Sequence, residues 1–221
     1  MIIARELHKH YGQLHVLKGV NLNIKQGEIV SIVGASGAGK TTLLQLLGTL
    51  DKPSKHEMTK LEINKVNIAS LSDNLLSKFR NEQLGFIFQF HQLLPEFTAL
   101  ENVCIPAYIK GTSKENAELK GLELLEFLGL KDRINNKPNE LSGGEQQRVA
   151  VARALINNPS IVFADEPSGN LDKKSAKQLH KLFFELRDRF GQTFVIVTHN
   201  NELADMADRK IIMSDGFVKL L

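Results

Sequence analysis

The sequence contains a single cysteine, Cys104, and no long uninterrupted apolar run. One cysteine cannot form a disulfide within the chain, and a membrane-crossing helix needs about 18 or more consecutive apolar residues. The first residues also lack the basic and then apolar segments that typify a secretory signal peptide. These absences predict a cytosolic chain, unless something else holds it to a membrane.

Charge of one sign is not concentrated anywhere along the chain. The 28 Lys and Arg residues nearly balance 25 Asp and Glu residues, which leaves a net charge of +3, and the two signs are interspersed. This pattern argues against nucleic acid as a partner, since such binding usually needs a basic patch. With 221 residues, 42% of them apolar, the chain is long enough for one domain with two lobes.

Three short apolar runs end at polar residues or glycine. The runs are 29–33, 161–164 and 194–197, and they are followed by Gly34, by Asp165 and Glu166, and by Thr198 and His199. Runs of this kind are typical of a buried parallel sheet whose carboxyl edge binds a ligand.

Other segments have different periods. Residues 1–25 and 59–68 alternate between apolar and polar residues, which predicts antiparallel strands. From about residue 90 to 155 the period is helical, with Leu122, Leu125 and Leu128 predicted on one face, so a helical lobe is expected between sheet strands. A later helix is predicted to turn a stripe of five residues toward the core: Leu179, Leu182, Phe183, Leu186 and Phe190.

The segment after the first apolar run fits the phosphate-loop pattern G-x-x-x-x-G-K-[ST] and lies between a predicted strand and a predicted helix. Its residues are Gly34, Ala35, Ser36, Gly37, Ala38, Gly39, Lys40 and Thr41. Backbone N–H groups and the helix N-terminus would bind phosphate, Lys40 would reach the β and γ phosphates, and Thr41 would ligate Mg²⁺. The alternative is an ordinary glycine-rich turn before a helix.

A second candidate anion site lies at residues 141–148, Leu-Ser-Gly-Gly-Glu-Gln-Gln-Arg. Ser142 is placed as an N-cap, and Gly143 and Gly144 would expose N–H groups at the start of a helix. One nucleotide does not need two phosphate sites on one chain. A second copy of the chain, whose nucleotide this segment completes, is therefore a predicted partner; a capped helix start without a ligand is the alternative.

Residues 141–148 resemble the signature segment of ATP-binding-cassette ATPases, and the other motifs of that family follow in its order over nearly the whole chain. The resemblance implies a P-loop α/β fold with a mostly parallel core sheet, an N-terminal antiparallel β subdomain and an inserted α-helical subdomain. It also implies a catalytic lobe of about residues 1–89 and 156–221 and a helical lobe of about 90–155.

The same resemblance assigns roles to individual residues. Those that would bind ATP are Tyr11, which would stack on adenine, the phosphate loop with Thr42, and Gln89 of the Q-loop. Mg²⁺ would be held by Thr41, Gln89 and Asp165, the last through water. Glu166 and His199 would be catalytic, Asp172 belongs to the D-loop, and Ser142, Gly143, Gly144 and Glu145 would face the ATP of the partner copy. His8 or His10 could share the stacking role of Tyr11.

Chemistry supports these catalytic assignments. Asp165 ends a strand and can hold the Mg²⁺ shell, while the adjacent Glu166 can orient or deprotonate the attacking water. His199 can hydrogen-bond the γ-phosphate; a histidine that merely caps a strand is the alternative. The substrate and cofactor are thus expected to be ATP and Mg²⁺.

Residues 88–103 resemble the lipoprotein-releasing branch of the family. That branch implies two integral membrane subunits as partners, a position at the cytoplasmic face of the inner membrane, and release of lipoproteins toward a periplasmic carrier. The alternative is a mechanotransmission ATPase of the macrolide-exporter or cell-division type. Four apolar residues in this run, Phe90, Leu93, Leu94 and Phe97, would line a groove for a membrane subunit, although at least two of them are expected to fill the core instead.

The chain departs from the family pattern at three places. Residues 55–59 replace a glycine-containing turn, Ser168 replaces a more frequent Thr, and Asn200 replaces the Asp that commonly follows the histidine. None of these changes removes a predicted catalytic group.

Overall fold

The computed structural model describes residues 1–220, which fall into two compact units. The first unit consists of Met1–Ser77 together with the described chain from Leu186 onward, and the second consists of Lys78–Glu185. No helix in the described residues combines the length and the apolar character needed to cross a bilayer. The division into a catalytic and a helical lobe stays a prediction.

The described chain contains ten strands and seven α-helices. The strands are β1 (Ile2–Tyr11), β2 (Leu14–Ile24), β3 (Ile29–Gly34), β4 (Lys60–Ile63), β5 (Val66–Asn67), β6 (Leu84–Phe88), β7 (Ile161–Asp165), β8 (Thr193–Val197), β9 (Arg209–Ser214) and β10 (Phe217–Leu220). The helices are α1 (Lys40–Leu47), α2 (Asp73–Gln83), α3 (Ala99–Lys110), α4 (Lys114–Phe127), α5 (Gly143–Leu155), α6 (Lys173–Phe190) and α7 (Asn201–Met206).

The first unit contains an antiparallel sheet in the order β2-β1-β4-β5. Alternation in β1 buries Ile2 and Ala4 and leaves Ile3 and Arg5 exposed, and a register shift between Ala4 and Leu7 turns Leu7 to the buried face as well. One face of the sheet is therefore apolar and the other is polar, as expected for a half-exposed antiparallel sheet. The predictions for residues 1–25 and 59–68 are confirmed.

The same unit contains a second group of strands, in the order β10-β9-β3-β8. β3 is parallel to both β8 and β9, and β10 pairs with β9 antiparallel. Helix α1 follows β3, packs against β3 and β8, and buries its apolar residues Leu43, Leu44, Leu46 and Leu47 fully or almost fully. Each such side chain stabilises the fold by about 1.5–3 kcal/mol relative to an exposed one.

In the second unit, β6 and β7 form a parallel pair in which Phe88 lies opposite Asp165. Helices α3, α4 and α5 lie between these two strands in the chain and pack on one another. Helix α5 also packs on β6 at Gly85, where a Cβ atom would lie 2.6 Å from the carbonyl oxygen of Ala154. This close approach explains a glycine in the middle of a buried strand.

Two details of the helical prediction are wrong. Residues 90–98 contain no helix. Leu122 is 38% exposed, because the buried face of α4 is formed by Ala117, Gly121 and Leu125 at four-residue spacings, and Leu128 is buried just after the helix ends. At position 121 a Cβ atom would meet Leu100 and Cys104, so glycine lets α4 approach α3.

The later helix, α6, places four of its five predicted apolar residues in the core. Leu179, Leu182, Phe183 and Leu186 are buried, but Phe190 is 60% exposed at the last position of the helix. Together these elements confirm the predicted fold class: α/β, with mostly parallel core strands, an N-terminal antiparallel sheet and inserted helices.

Candidate functional site

The phosphate-loop segment occupies the connection from β3 to α1 in the first unit. Ala35, Ser36 and Gly37 are exposed at its tip, while Ala38 and Gly39 are buried. Gly39 is the N-cap of α1 with φ 94°, a conformation that favours glycine, and no side chain among residues 1–220 caps this helix. The N–H groups at the start of α1 are thus directed toward an exposed loop that can take an anion.

Lys40 lies over this loop. Its Nζ donates hydrogen bonds to the carbonyl oxygens of Gly34 and Ala35, both at 2.9 Å. These carbonyls hold the ammonium group beside the exposed tip, where it can meet a phosphate. Thr41, the next residue, is exposed, and Thr42 is half-buried.

Tyr11 ends β1 in the same unit. Its hydroxyl donates to Oδ2 of Asp51 at 2.8 Å and interacts with the side chain of Thr42 in α1. Burial raises the pKa of the Tyr11 phenol, and the hydrogen bond to Asp51 raises it further. Nζ of Lys9 bonds Asp51 at 2.7 Å and lies 4.9 Å from the Tyr11 ring centroid. The ring remains 47% exposed, so it is available for stacking close to α1.

The histidines that could share this stacking role are engaged with one another. The ring of His10 stacks on His15 with centroids 3.8 Å apart, and Nδ1 of His8 lies 3.2 Å from Nε2 of His15. His56 lies against His8 at 4.4 Å. The contacts with Asp51 and Thr42 therefore favour Tyr11 as the stacking aromatic.

His199 emerges at the same sheet edge as the phosphate loop. Because Ile32 of β3 lies opposite Val197 of β8, the carboxyl ends of these parallel strands are neighbours. The N–H of Thr198 donates to Ile32 O at 3.1 Å, and His199 is exposed. Asn200 caps α7 by accepting from the N–H of Leu203 at 2.9 Å, so the amide fills the capping role that an aspartate could also fill.

In the second unit, the predicted carboxylates and Gln89 share another strand edge. The register of Phe88 with Asp165 places Gln89 and Glu166 at the carboxyl ends of neighbouring parallel strands. Glu166 has φ 47°, an uncommon backbone conformation for a residue with a side chain, and such residues are frequent at active sites. Gln89 hydrogen-bonds Asn170, which sequence reasoning did not single out.

The signature segment begins α5. Ser142 is its N-cap: the hydroxyl accepts from the N–H of Glu145 at 3.3 Å and donates to Oε2 of Glu145 at 2.7 Å. Nε of Arg133 donates to the same carboxylate at 3.0 Å. The hydrogen bond from the Ser142 side chain lowers the pKa of Glu145 to about 2. Glu145 therefore stays ionised within its own chain, while Ser142 and Gly143 are exposed at the helix start.

Asp172 caps α6. Its Oδ1 accepts from the N–H groups of Lys174 and Ser175 at 2.9 and 3.0 Å, and the Ser175 hydroxyl donates to Oδ2 at 2.6 Å. The Ser175 side chain is the largest cause of the lowered pKa of Asp172. The D-loop aspartate thus has a structural role in its own chain.

Sequence reasoning missed two further contacts. Asp51 joins Lys9 to Tyr11, and no pattern in the sequence links Asp51 to these residues, which lie about forty positions away. The sequence shows Ser168 as a departure from the family pattern but does not indicate what it contacts. In the structure, Nε2 of the buried His180 lies 3.0 Å from the Ser168 hydroxyl. No local pattern connects residues twelve positions apart across a loop and a helix.

The four apolar residues after Gln89 lie mostly at the surface. Phe90 is 70% exposed, Leu94 44% and Phe97 40%, and Leu93 is half-buried. The expectation that at least two of them fill the core is wrong, because the main chain here is held by polar contacts instead. Asn102 bonds the N–H and the carbonyl of Leu94, at 2.8 and 3.1 Å.

Phe97 also borders a groove of about 510 Å³ along α3 and α4. The groove is lined mainly by apolar side chains with three charged residues among them; the lining residues are Phe97, Glu101, Ile105, Tyr108, Ile109, Lys114 and Glu118. A mostly apolar groove beside exposed aromatic residues is typical of a protein-docking surface.

Comparison with known proteins identifies relatives of the chain. The sequence model of the ABC transporter family matches residues 17–169. The chain is 59% identical over 216 residues to the lipoprotein-releasing system ATP-binding protein LolD of Bacteroides fragilis, covering 98% of this chain and 99% of the relative. It is 56% identical over 218 residues to the protein of the same name in Porphyromonas gingivalis, covering 99% and 98%.

Solved structures of ABC cassettes are similar to the chain as well. The dimeric ATP-binding cassette MJ0796 in a post-hydrolysis state, bound to ADP and Pi, superposes with a TM-score of 0.89 at 42% identity and covers 99% of this chain and 97% of its own. The cbiO1 cassette of Clostridium perfringens, part of the ABC transporter complex cbiONQ, has the same TM-score at 29% identity, with 99% and 86% covered.

Proposed function

Since the chain belongs to the ABC transporter family, we propose that it is the ATP-hydrolysing subunit of a transporter that releases lipoproteins from the inner membrane. The observation that carries this proposal is the 59% identity, over nearly all of both chains, to a protein named for that system. The mechanotransmission alternative is not favoured, because both sequence relatives described above are named for lipoprotein release.

The chain is an ATP hydrolase, and the residues of the first unit that would bind the nucleotide lie together. Tyr11 would stack on adenine next to α1. The N–H groups between Gly34 and Thr42 would bind the phosphates, and Lys40 would exchange its two carbonyl partners for phosphate oxygens. His199 would reach the γ-phosphate from the neighbouring strand end.

Thr41, Gln89 and Asp165 would hold Mg²⁺, Asp165 through water. All three offer oxygen atoms, the ligands that Mg²⁺ prefers, and no thiol or imidazole is among them. When bound, Mg²⁺ neutralises charge on the phosphate oxygens. Glu166, directly after Asp165, would orient the attacking water and accept its proton.

A second copy of the chain would complete each site. The dimeric cassette structure similar to this chain supports a homodimer. The exposed start of α5 at Ser142 and Gly143, with Gly144 behind it, would face the γ-phosphate bound by the partner. The positive end of the helix dipole would stabilise the charge that develops there during hydrolysis.

Two integral membrane subunits are the remaining proposed partners, and they would hold the chain at the cytoplasmic face of the inner membrane. The groove bordered by Phe97, together with exposed Phe90 and Leu94, supports this proposal. Its walls carry both apolar and charged residues, which suits an amphipathic helix of a partner.

Reconstitution tests the proposal. The chain would be co-expressed with candidate integral membrane subunits from the same organism, and the purified complex placed in liposomes that carry a labelled lipoprotein. We expect transfer of the lipoprotein to a soluble carrier to depend on ATP and Mg²⁺, and the same complex with Glu166→Gln to show none. ATP hydrolysis with an intact complex but without lipoprotein transfer would contradict the proposed cargo.

A further inference from the structure

Gln89 and Asn170 form a reciprocal amide pair in the second unit. Nε2 of Gln89 donates to Oδ1 of Asn170 at 3.0 Å, and Nδ2 of Asn170 donates to the backbone oxygen of Gln89 at 3.2 Å. One bond fixes the end of the Gln89 side chain and the other fixes its main chain. Two bonds from the same residue therefore restrict the rotation of the side chain between them.

Gly169 adds to this restriction. A Cβ atom at position 169 would lie 3.0 Å from Nε2 and 3.1 Å from Cδ of Gln89, closer than ordinary van der Waals contact. The amide of Gln89 thus rests directly on the main chain of the loop that follows Glu166. The N–H of Gly169 also donates to the backbone oxygen of Glu166 at 3.0 Å. The residue that contacts the Gln89 amide is therefore joined to the proposed catalytic glutamate by one turn of the chain.

The residues on either side of Asn170 in this loop are held by hydrogen bonds of their own. Ser168 and His180, which bond at 3.0 Å, are both buried, and Asp172 is held by its three capping bonds at the start of α6. Asn170 lies between these two anchors and is exposed. Because an exposed hydrogen bond exchanges readily with water, the Gln89–Asn170 pair is the contact of this loop that can open while both anchors stay in place.

We propose that Asn170 is a positioning residue that holds the Gln89 side chain on the loop through Nε2, so that the amide oxygen Oε1 reaches a nucleotide-bound metal only when the bond to Asn170 opens. This inference rests on the proposed role of Gln89 as a metal ligand. Its consequence is that metal engagement by Gln89 and release of Asn170 occur in one step. Residues 169–171, between the two anchors, would then be free to adjust only after the metal has arrived.

Nucleotide binding measured by calorimetry tests this inference without relying on hydrolysis. The affinity for the non-hydrolysable analogue AMP-PNP is determined with Mg²⁺ and with EDTA, and the ratio of the two gives the contribution of the metal. Asn170→Ala removes the competing amide, so this ratio should rise roughly three- to tenfold, the effect of releasing one or two net hydrogen bonds. Affinity in EDTA should not change.

The matched control is Asn116→Ala, an exposed asparagine in the first turn of α4; it should leave the ratio as in the unaltered chain. Gln89→Ala should lower the ratio, and adding Asn170→Ala to it should cause no further change, because Asn170 acts through Gln89. A merely structural role for Asn170 would not produce this dependence.

Two results would overturn the inference while leaving the proposed function intact: an unchanged ratio in Asn170→Ala, or independent effects of the two substitutions in the double variant. A Gln89→Ala chain whose ratio is unchanged would instead remove Gln89 from the metal site. In that case the assignment made under the proposed function fails first, and the inference fails with it.

Discussion

The carboxylate of Glu145 accepts hydrogen bonds from both the backbone N–H and the hydroxyl of Ser142, at 2.8 and 2.7 Å. This capping box closes the first turn of α5, and it holds the pKa of Glu145 at about 2, below the ordinary value of 4.5. A lowered pKa means that the ionised group stabilises the folded chain above pH 4.5. That contribution is lost as the pH falls from 4.5 toward 2.

Glu145→Gln should therefore lower the free energy of unfolding by about 1–2 kcal/mol at pH 7. The difference from the unaltered chain should shrink as the pH falls from 4.5 toward 2, since the carboxyl group becomes neutral first in the unfolded chain and only near pH 2 in the folded one. Denaturant titrations at several pH values measure it, with Glu123→Gln on the exposed side of α4 as a control. A difference that does not vary with pH would contradict the assigned contact.

Glu166→Gln should nearly abolish ATP hydrolysis and leave ATP binding intact. Glutamine keeps the size of the side chain and its hydrogen bonding but cannot take a proton from water. Steady-state phosphate release and size-exclusion chromatography with ATP and Mg²⁺ measure the result, and an ATP-bound dimer should accumulate. Phosphate release at the normal rate would show that another group activates the water.

Lys40→Ala should weaken nucleotide binding by about 1.5–3 kcal/mol, the contribution of a charged hydrogen bond to phosphate. Calorimetric titration with ATP measures this loss. Lys25→Ala, an exposed lysine between β2 and β3, serves as the control and should bind ATP as the unaltered chain does. Equal affinities for the two variants would argue against a phosphate site at residues 34–41.

Ser142→Arg should stop hydrolysis without affecting nucleotide binding by the same chain, because the bulky cation would enter the pocket of the partner's γ-phosphate. The change also removes an N-cap, at a cost of about 1 kcal/mol. Ser113→Arg is the control: Ser113 also caps a helix, α4, by accepting from the N–H of Asn116, and it lies outside the proposed site. It should retain activity.

Mixing Ser142→Arg with Lys40→Ala provides a stronger test of the two-chain site. Each mixed dimer contains one site whose phosphate loop and signature segment are both unaltered, so part of the hydrolysis should return. Mixed dimers that form, as shown by mass spectrometry, but stay as inactive as their components would refute the shared site.

Phe97→Asp should disrupt docking of the membrane subunits, since it places a charge in the apolar groove along α3 and α4. Co-purification with the membrane subunits should fall at least tenfold, a loss of about 1.4 kcal/mol or more, while ATP binding by the isolated chain should persist. Phe190→Asp, at an exposed phenylalanine that ends α6, is the control. Equal loss of co-purification in both variants would indicate a general effect of added charge.

Local patterns in the sequence were sufficient for most of the architecture. Alternation identified β1 and β2, and the short apolar runs identified β3, β7 and β8, because burial on one face or on both leaves a direct trace in the order of residues. The phosphate loop was equally accessible, since its function depends on consecutive backbone N–H groups and on residues next to them. The order of the family motifs then identified the family.

Tertiary structure alone decided which side chains meet. Helical spacing places Leu122 and Phe190 in apolar stripes, but burial also depends on which element covers the helix. A residue of the stripe that lies beyond the covering element is exposed. Gln89 and Asn170 are 81 residues apart, and Ser168 and His180 belong to different elements. The Gln89–Asn170 contact arises because the parallel pairing of β6 and β7 brings two loops to one edge, and the Ser168–His180 contact arises because α6 packs beside the loop that precedes it. No local period encodes either contact.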